Sequence, residues 1–273
     1  MARQGEELRS VEKLYDATSA ALEELYGADL HFGYWDASVV DLPSAAARMT
    51  EHLIERTQVT PGQHVLDLGC GTGNPALRLA RAREVRVTGV SVSRREVARA
   101  NDSAEQQQMA HDVQFERVDA LALPYTSASF DAAWAIESMS HMADRAVVLR
   151  ELSRVLRPGG RLLIADGFLR RPPSSADSRA AETVCAAFRM GLPPTLPGHT
   201  ELLGEAGFVV VDQEDLSEHA QRSITCLAHL MQARTAEFSD MFGEKAFTRL
   251  LDSLLGAELT GTIGYVLLSA ERR

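Results

Sequence analysis

Apolar residues along this chain follow two rhythms. Over residues 6–26 they recur every three or four positions, at Leu8, Val11, Leu14, Tyr15, Ala21, Leu22 and Leu25, which predicts a helix buried along one stripe. A second helix is predicted over 42–57, and Thr60-Pro61-Gly62 then turns the chain. From residue 65 the rhythm shortens. Apolar runs at 65–68, 85–90, 113–118, 130–135 and 161–166 read as strands, and 74–83, 93–108 and 144–156 between them read as helices. Ser93 with Glu96 forms a capping box, Asp144 is an N-cap, and Arg157-Pro158-Gly159-Gly160 is expected to stop the helix before it. Strands and helices alternating five times predict an α/β fold, a doubly wound parallel sheet with helices on both faces.

After Asp166 the pattern changes. Pro172, Pro173, Pro193, Pro194 and Pro197 surround a helical stretch near 177–190. A short helix at 201–206 is stopped by Gly207, a sixth strand follows at 208–211, residues 218–255 are helical again, and 262–270 is a last strand. The proline-rich stretch and the 218–255 helices are expected to cap the open end of the sheet. Three regions follow: N-terminal helices over 1–58 covering the site, an α/β core over 59–167, and 168–273 completing the sheet with an inserted helical cap.

The densest chemistry lies at Val65-Leu66-Asp67-Leu68-Gly69-Cys70-Gly71-Thr72-Gly73-Asn74-Pro75. A strand ends beside an acid, three glycines alternate through a tight loop, and a helix starts with Asn74 as expected cap and Pro75 in its first turn. Ligands of such sheets bind beyond the carboxyl ends of the strands. Asp67, Ser91, Asp119, Glu137, Ser140, His141 and Asp166 all fall at or just past predicted strand ends, so one gathered polar site is expected. Leu30-His31-Phe32-Gly33-Tyr34-Trp35 crowds aromatics around a glycine, either as a loop packed on the core or as a wall of a ligand pocket.

Composition narrows the partners. The 273 residues carry a net charge of −10 without a basic stripe, which argues against nucleic acid. Cys70, Cys185 and Cys226 are far apart, and no His, Cys and acid spacing predicts a metal site. No apolar run approaches a membrane span, and a polar N-terminus without a secretory signal makes a cytoplasmic protein the expectation. Oligomeric state is open.

Two ligand classes suit the glycine loop. Gly71-Thr72-Gly73-Asn74-Pro75-Ala76 satisfies the dinucleotide pattern, and Ser91 with Arg94 and Arg95 would suit a 2′-phosphate, so an NADP-dependent oxidoreductase is one reading. Asp67 before the loop instead favours a ligand with an ammonium group. The run Asp67-Leu68-Gly69-Cys70-Gly71-Thr72-Gly73 resembles the first motif of class I S-adenosylmethionine-dependent methyltransferases. Asp119-Ala120, Pro124-Tyr125, Phe130-Asp131 and Leu156-Arg157-Pro158-Gly159-Gly160 resemble their later motifs in order and spacing. Residues 30–35, 87–93 and 137–142 are similar to natural-product O-methyltransferases of the rebeccamycin sugar type.

The resemblance implies a seven-stranded sheet whose last strand is antiparallel, with S-adenosylmethionine as cofactor. It implies that Gly69, Gly71 and Gly73 approach the methionine part and that Asp67 supports its ammonium. Ser91 would lie at the ribose, Asp119 and Ala120 at the adenine, Glu137 near the sulfonium, and Tyr15 and Trp35 would close over the cofactor. It also implies a small natural-product acceptor, with oxygen on a sugar or ring expected first and nitrogen or carbon next. A protein that binds the cofactor without catalysis is the alternative outside enzymes. His141 and Asp166 are the candidate bases. A His with near-neutral pKa can take a proton from an alcohol, although His141 also reads as a capping residue and Asp166 as a strand-end carboxylate held by loop amides. His31 reads as structural.

Overall fold

The computed structural model describes residues 2–172 and 179–273; within its helices the side chains of residues 2–9, 15, 17, 20, 257 and 258 lie outside that description. In chain order the elements are α1 (Ala2–Tyr26), α2 (Leu42–Arg56), β1 (His64–Leu68), α3 (Asn74–Arg83), β2 (Arg86–Ser91), α4 (Arg94–Gln106), β3 (Val113–Arg117), β4 (Phe130–Ile136), α5 (Arg145–Val155) and β5 (Leu156–Leu169). The last third adds α6 (Arg179–Ala187), α7 (Leu196–Glu205), β6 (Phe208–Asp215), α8 (Ser217–Ala220), α9 (Arg222–Ala233), α10 (Thr235–Phe242), α11 (Glu244–Leu255), α12 (Ala257–Thr262) and β7 (Ile263–Arg272).

All seven strands form one sheet in the order β3-β2-β1-β4-β5-β7-β6. The β1, β2, β3, β4 and β5 pairings are parallel, while β7 runs antiparallel to both its neighbours. The order reverses between β1 and β4, so the carboxyl ends of these two strands border the switch-point crevice. Alternation along the strands sorts the core. Val65, Trp134 and Leu163 face α2, α3 and α4, whereas Leu66, Ala133 and Ile164 face α5 and α7. A third apolar cluster joins α1, the start of α2, α6, α9, α10 and α11, and lies apart from the two sheet faces.

Three local expectations are corrected. Asn74 does not cap α3: Gly73 holds that position, and the Asn74 amide donates to Asp29 at 2.7 Å instead. Arg157-Pro158-Gly159-Gly160 follows the helix end as expected, but it lies inside β5 rather than before a strand starting at Arg161. α5 ends at Val155 and β5 begins at once, with the register jumping from Phe130–Leu156 to Ala132–Arg161. Gly160 permits this because a Cβ there would lie 2.8 Å from the Arg157 carbonyl. Asp166 is not past a strand end, since β5 continues to Leu169 and pairs Asp166 with Val266 of β7.

Candidate active site

A cavity of about 270 Å³ opens over the carboxyl ends of β1, β2 and β4 and runs under α6, α9, α11 and α12. The glycine loop forms its floor. Gly69, Gly71 and Gly73 hold φ of 79°, 51° and 85°, a region that side chains disfavour. Each glycine answers a different demand. A Cβ on Gly69 would strike Ser138, one on Gly73 would strike the Phe115 ring at 2.5 Å, and one on Gly71 would meet nothing within 4 Å. Gly71 also lines the cavity, so its open side is the face left for a ligand.

Beyond β2 the site holds an acid that sequence reasoning read only as a cap. The Ser93 hydroxyl does accept the Glu96 amide, but the Glu96 carboxylate does not reach back to Ser93. It turns inward, taking the Ser91 hydroxyl at 2.7 Å and the Ser19 hydroxyl at 3.2 Å, and it lines the cavity beside Ser91. Burial raises its pKa. Spacing was the available signal, because a residue five positions past a strand end on the first helical turn can point back over that strand. At the end of β3, Asp119 and Ala120 also line the cavity, and Asp119 accepts the Leu121 amide at 2.9 Å.

Glu137, directly after β4, is held at φ 50°. Its Oε1 accepts the Phe32 amide at 2.6 Å and the Tyr265 hydroxyl at 2.9 Å. Burial pushes its carboxyl up to about 8, against the pull of those two donors. Asp67 is buried beneath the loop and does not line the cavity; burial pushes it up to about 7, and Trp134, its register partner on β4, offsets only part.

The other end of the cavity carries His141 and Asp166. The Asp166 carboxylate accepts the Ser140 amide at 3.1 Å, the Ser140 hydroxyl at 2.7 Å and the Gly167 amide at 2.7 Å. It therefore holds the short turn Met139–His141 in place. His141 also bonds the backbone of Arg189, and burial lowers its pKa more than Asp166 raises it, so the ring is neutral at pH 7. Arg145 ties the same turn to the segment after α6, donating to the carbonyls of Met139, Gly191 and Leu192.

The segment at 30–35 serves both expected roles. Leu30, His31 and Phe32 line the cavity, and His31 spends both ring nitrogens on the Phe32 carbonyl and the Thr50 hydroxyl, which makes it structural. Trp35 does not close over the cavity. Its indole is buried against the cap, donates to the Ser223 hydroxyl at 2.9 Å and lies under Arg222. Gly73 lies beneath the floor and does not line the cavity, and the Tyr15 side chain falls outside the described residues. Gly69, Gly71, Ser91, Asp119, Ala120, Glu137, His141 and Asp166 are thus brought together around one space.

The donor set suits S-adenosylmethionine. Glu96, Asp119 and Glu137 line the cavity past the ends of β2, β3 and β4, and Gly71 leaves room at the backbone for close approach. A dinucleotide phosphate fits less well, because Arg94 and Arg95 are exposed and off the cavity while Glu96 faces into it. A family profile described as a methyltransferase domain matches residues 66–164. The chain is 37% identical over 260 residues to 27-O-demethylrifamycin SV methyltransferase of Amycolatopsis mediterranei (strain S699), covering 95% of this chain and 96% of that protein. It is 40% identical over 215 residues to methyltransferase GfsG of Streptomyces halstedii, covering 78% and 77% of the two. Its fold is similar to the crystal structure of the [4+2]-cyclase SpnF, with a TM-score of 0.85, 32% identity, and coverage of 97% and 96%. With relatives of this identity over nearly the whole chain, and with the expected sheet and glycine loop in place, the chain belongs to the class I S-adenosylmethionine-dependent methyltransferases.

Proposed function

We propose that this protein transfers a methyl group from S-adenosylmethionine to an oxygen of a small natural-product acceptor. The observation that carries this reading is the continuity of one cavity from the glycine loop to His141 and Asp166. S-adenosylmethionine supplies, when bound, a methyl group on a positively charged sulfur. In this reading Gly69 and Gly71 admit the methionine part, with Gly73 and Asp67 supporting the loop from below. Glu96 with Ser91 receives the ribose hydroxyls, Asp119 and Ala120 the adenine, and the free side of Glu137 faces positive charge. The helices after β5 cover the acceptor.

Holding the acceptor in line with the methyl group supplies much of the acceleration. His141, neutral at pH 7, takes the hydroxyl proton as the oxygen attacks, and Asp166 keeps the His141 turn in position. Oxygen is favoured because the 37% identical relative is named for a 27-O-demethyl substrate and a 34% identical relative from Penicillium expansum is named an O-methyltransferase. Nitrogen or carbon acceptors, an NADP-dependent reaction and cofactor binding without catalysis remain outcomes of the test. Because the related SpnF is described as a [4+2]-cyclase, binding alone does not suffice.

The test has two steps. Thermal shift with S-adenosylhomocysteine and with NADPH identifies the ligand, since a selective binder raises apparent stability. Methyl-labelled S-adenosylmethionine is then offered with a library of hydroxylated natural products. Label recovered as a methyl ether supports the proposal. Label on nitrogen or carbon, stabilisation by NADPH alone, or cofactor binding without transfer to any acceptor each overturns it in favour of the corresponding alternative.

A further inference from the structure

The chemistry of the acceptor end restricts what can enter it. Among the described residues that line the cavity, none is Lys or Arg, and Glu96, Asp119, Glu137 and Asp166 are acids. Arg145 lies beside the His141 turn, but its guanidinium is turned to three backbone carbonyls and does not line the cavity. A phosphate or carboxylate on the acceptor would lose its water and find no cationic side chain lining the site.

The wall opposite the sheet is apolar. Val184, Phe188, Ile224, Leu227, Leu254 and Ile263 supply it from α6 and the segment after it, α9, α11 and the start of β7. The polar side chains at this end are largely committed to the protein itself. Tyr265 gives its hydroxyl to Glu137 and Ser140 gives its hydroxyl to Asp166. Burial pushes the Cys185 thiol up to about 11, so it stays neutral. A sugar ring placed against this wall would leave several hydroxyls without partners, which is costly.

We propose that the acceptor is a neutral, predominantly aliphatic molecule that places its carbon skeleton against α6, α9 and α11 and presents an isolated hydroxyl to His141. A free sugar, a nucleotide-linked sugar and any phosphorylated or carboxylated acceptor are excluded. The inference rests on reading this cavity as the methyl-acceptor site, and it sets aside the sugar expected from sequence.

The test is a binding measurement on the full chain loaded with S-adenosylhomocysteine. Three probes are titrated by calorimetry: menthol, menthyl phosphate and methyl α-glucopyranoside. Menthol is expected to bind at least about ten-fold more tightly than either of the others, a difference that calorimetry resolves readily. Met190→Arg then places a cation at a half-buried lining position, where a long side chain is tolerated. It is expected to improve menthyl phosphate binding about ten-fold relative to menthol while leaving S-adenosylhomocysteine affinity within about three-fold. Menthyl phosphate or the glucoside binding the wild type as tightly as menthol, or none of the three binding, overturns the proposal. Failure of the methyl-transfer reading shows separately, as absence of S-adenosylhomocysteine binding in the loading step.

Discussion

The Tyr265 hydroxyl donates to Oε1 of Glu137 at 2.9 Å, across 128 residues of chain. β7 brings it there by inserting between β5 and β6, so Glu137 is anchored by the last strand of the sheet as well as by the Phe32 amide. Both donors use one carboxylate oxygen, which leaves the other side of the group for a ligand.

Glu137 gives the ligand-free protein a pH-dependent stability. Its folded pKa of about 8 lies above the ordinary 4.5, so the folded state holds a proton that the unfolded chain has released. The resulting stabilisation is complete below about 4.5, falls as pH rises, and is gone above about 8. Asp67 acts in the same sense between 3.8 and about 7. Melting temperature should therefore decline across this range, and Glu137→Gln should flatten most of the portion near pH 8, above the Asp67 transition. Calorimetry in two buffers of different ionisation enthalpy adds a second check. Binding of S-adenosylmethionine at pH 7 should release a proton from the wild type and none from Glu137→Gln.

Glu96 should matter more to cofactor binding than Ser91. Its carboxylate faces the cavity, whereas the Ser91 hydroxyl points to Glu96. Glu96→Ala is expected to weaken S-adenosylhomocysteine binding by about 1–3 kcal/mol, the cost of removing a buried hydrogen-bond partner. Ser91→Ala should cost less. Equal losses in calorimetry would return the ribose contact to Ser91.

These residues show where sequence reading succeeds and where it stops. β1, the glycine loop and α3 were legible because strand, turn and helix start are local. The antiparallel last strand came from resemblance, and its place between β5 and β6 is set by pairing that no local pattern encodes. Asn74 looked like a cap, yet Asp29, 45 residues upstream, takes its amide. Glu96 looked like half of a capping box, yet two serines and the cavity redirect its carboxylate. Trp35 looked like a cofactor lid, yet Ser223 holds its indole 188 residues away. Asp29, Ser19 and Ser223 are distant in sequence, so no local pattern shows that they meet Asn74, Glu96 and Trp35.

Asp119→Ala should act on the cofactor and little on the fold. Asp119 lines the cavity, and its carboxylate accepts the Leu121 amide in the same turn. Affinity for S-adenosylhomocysteine is expected to fall by about 1–3 kcal/mol, with a loss of folding stability of about 1 kcal/mol or less. Titration calorimetry and a urea melt on the same variant separate the two.

Gly71 and Gly73 should respond in opposite ways to alanine. Gly73→Ala drives a methyl group into the Phe115 ring and should destabilise the fold by about 1–3 kcal/mol or more. Gly71→Ala meets no protein atom and should carry mainly the left-handed backbone cost of about 1–2 kcal/mol. Its methyl group occupies the ligand's side of the loop, so cofactor affinity should fall well beyond what stability alone accounts for. Urea melts paired with calorimetry would show the crossover; a Gly71→Ala variant with normal affinity would move the ligand off the loop.

His141 and Asp166 should separate by the step they affect. Asp166 already accepts three donors from Ser140 and Gly167, so its removal loosens the turn that carries His141. Asp166→Ala should then raise KM for the acceptor as well as lower kcat. His141→Ala should leave cofactor affinity nearly intact and slow single-turnover methyl transfer by roughly 10²–10⁴-fold, the range for a positioned general base. The pH profile supplies the sign. Burial holds the His141 pKa below 6.5, so the wild-type rate should rise with pH through that lowered value and stay level through neutrality, where the ring is ready to accept a proton. That rising limb should vanish in His141→Ala. If the limb survives and the single-turnover rate is unchanged, His141 is not the base. Positioning would then carry the transfer, and an acceptor needing no deprotonation, a nitrogen or a nucleophilic carbon, becomes the better assignment.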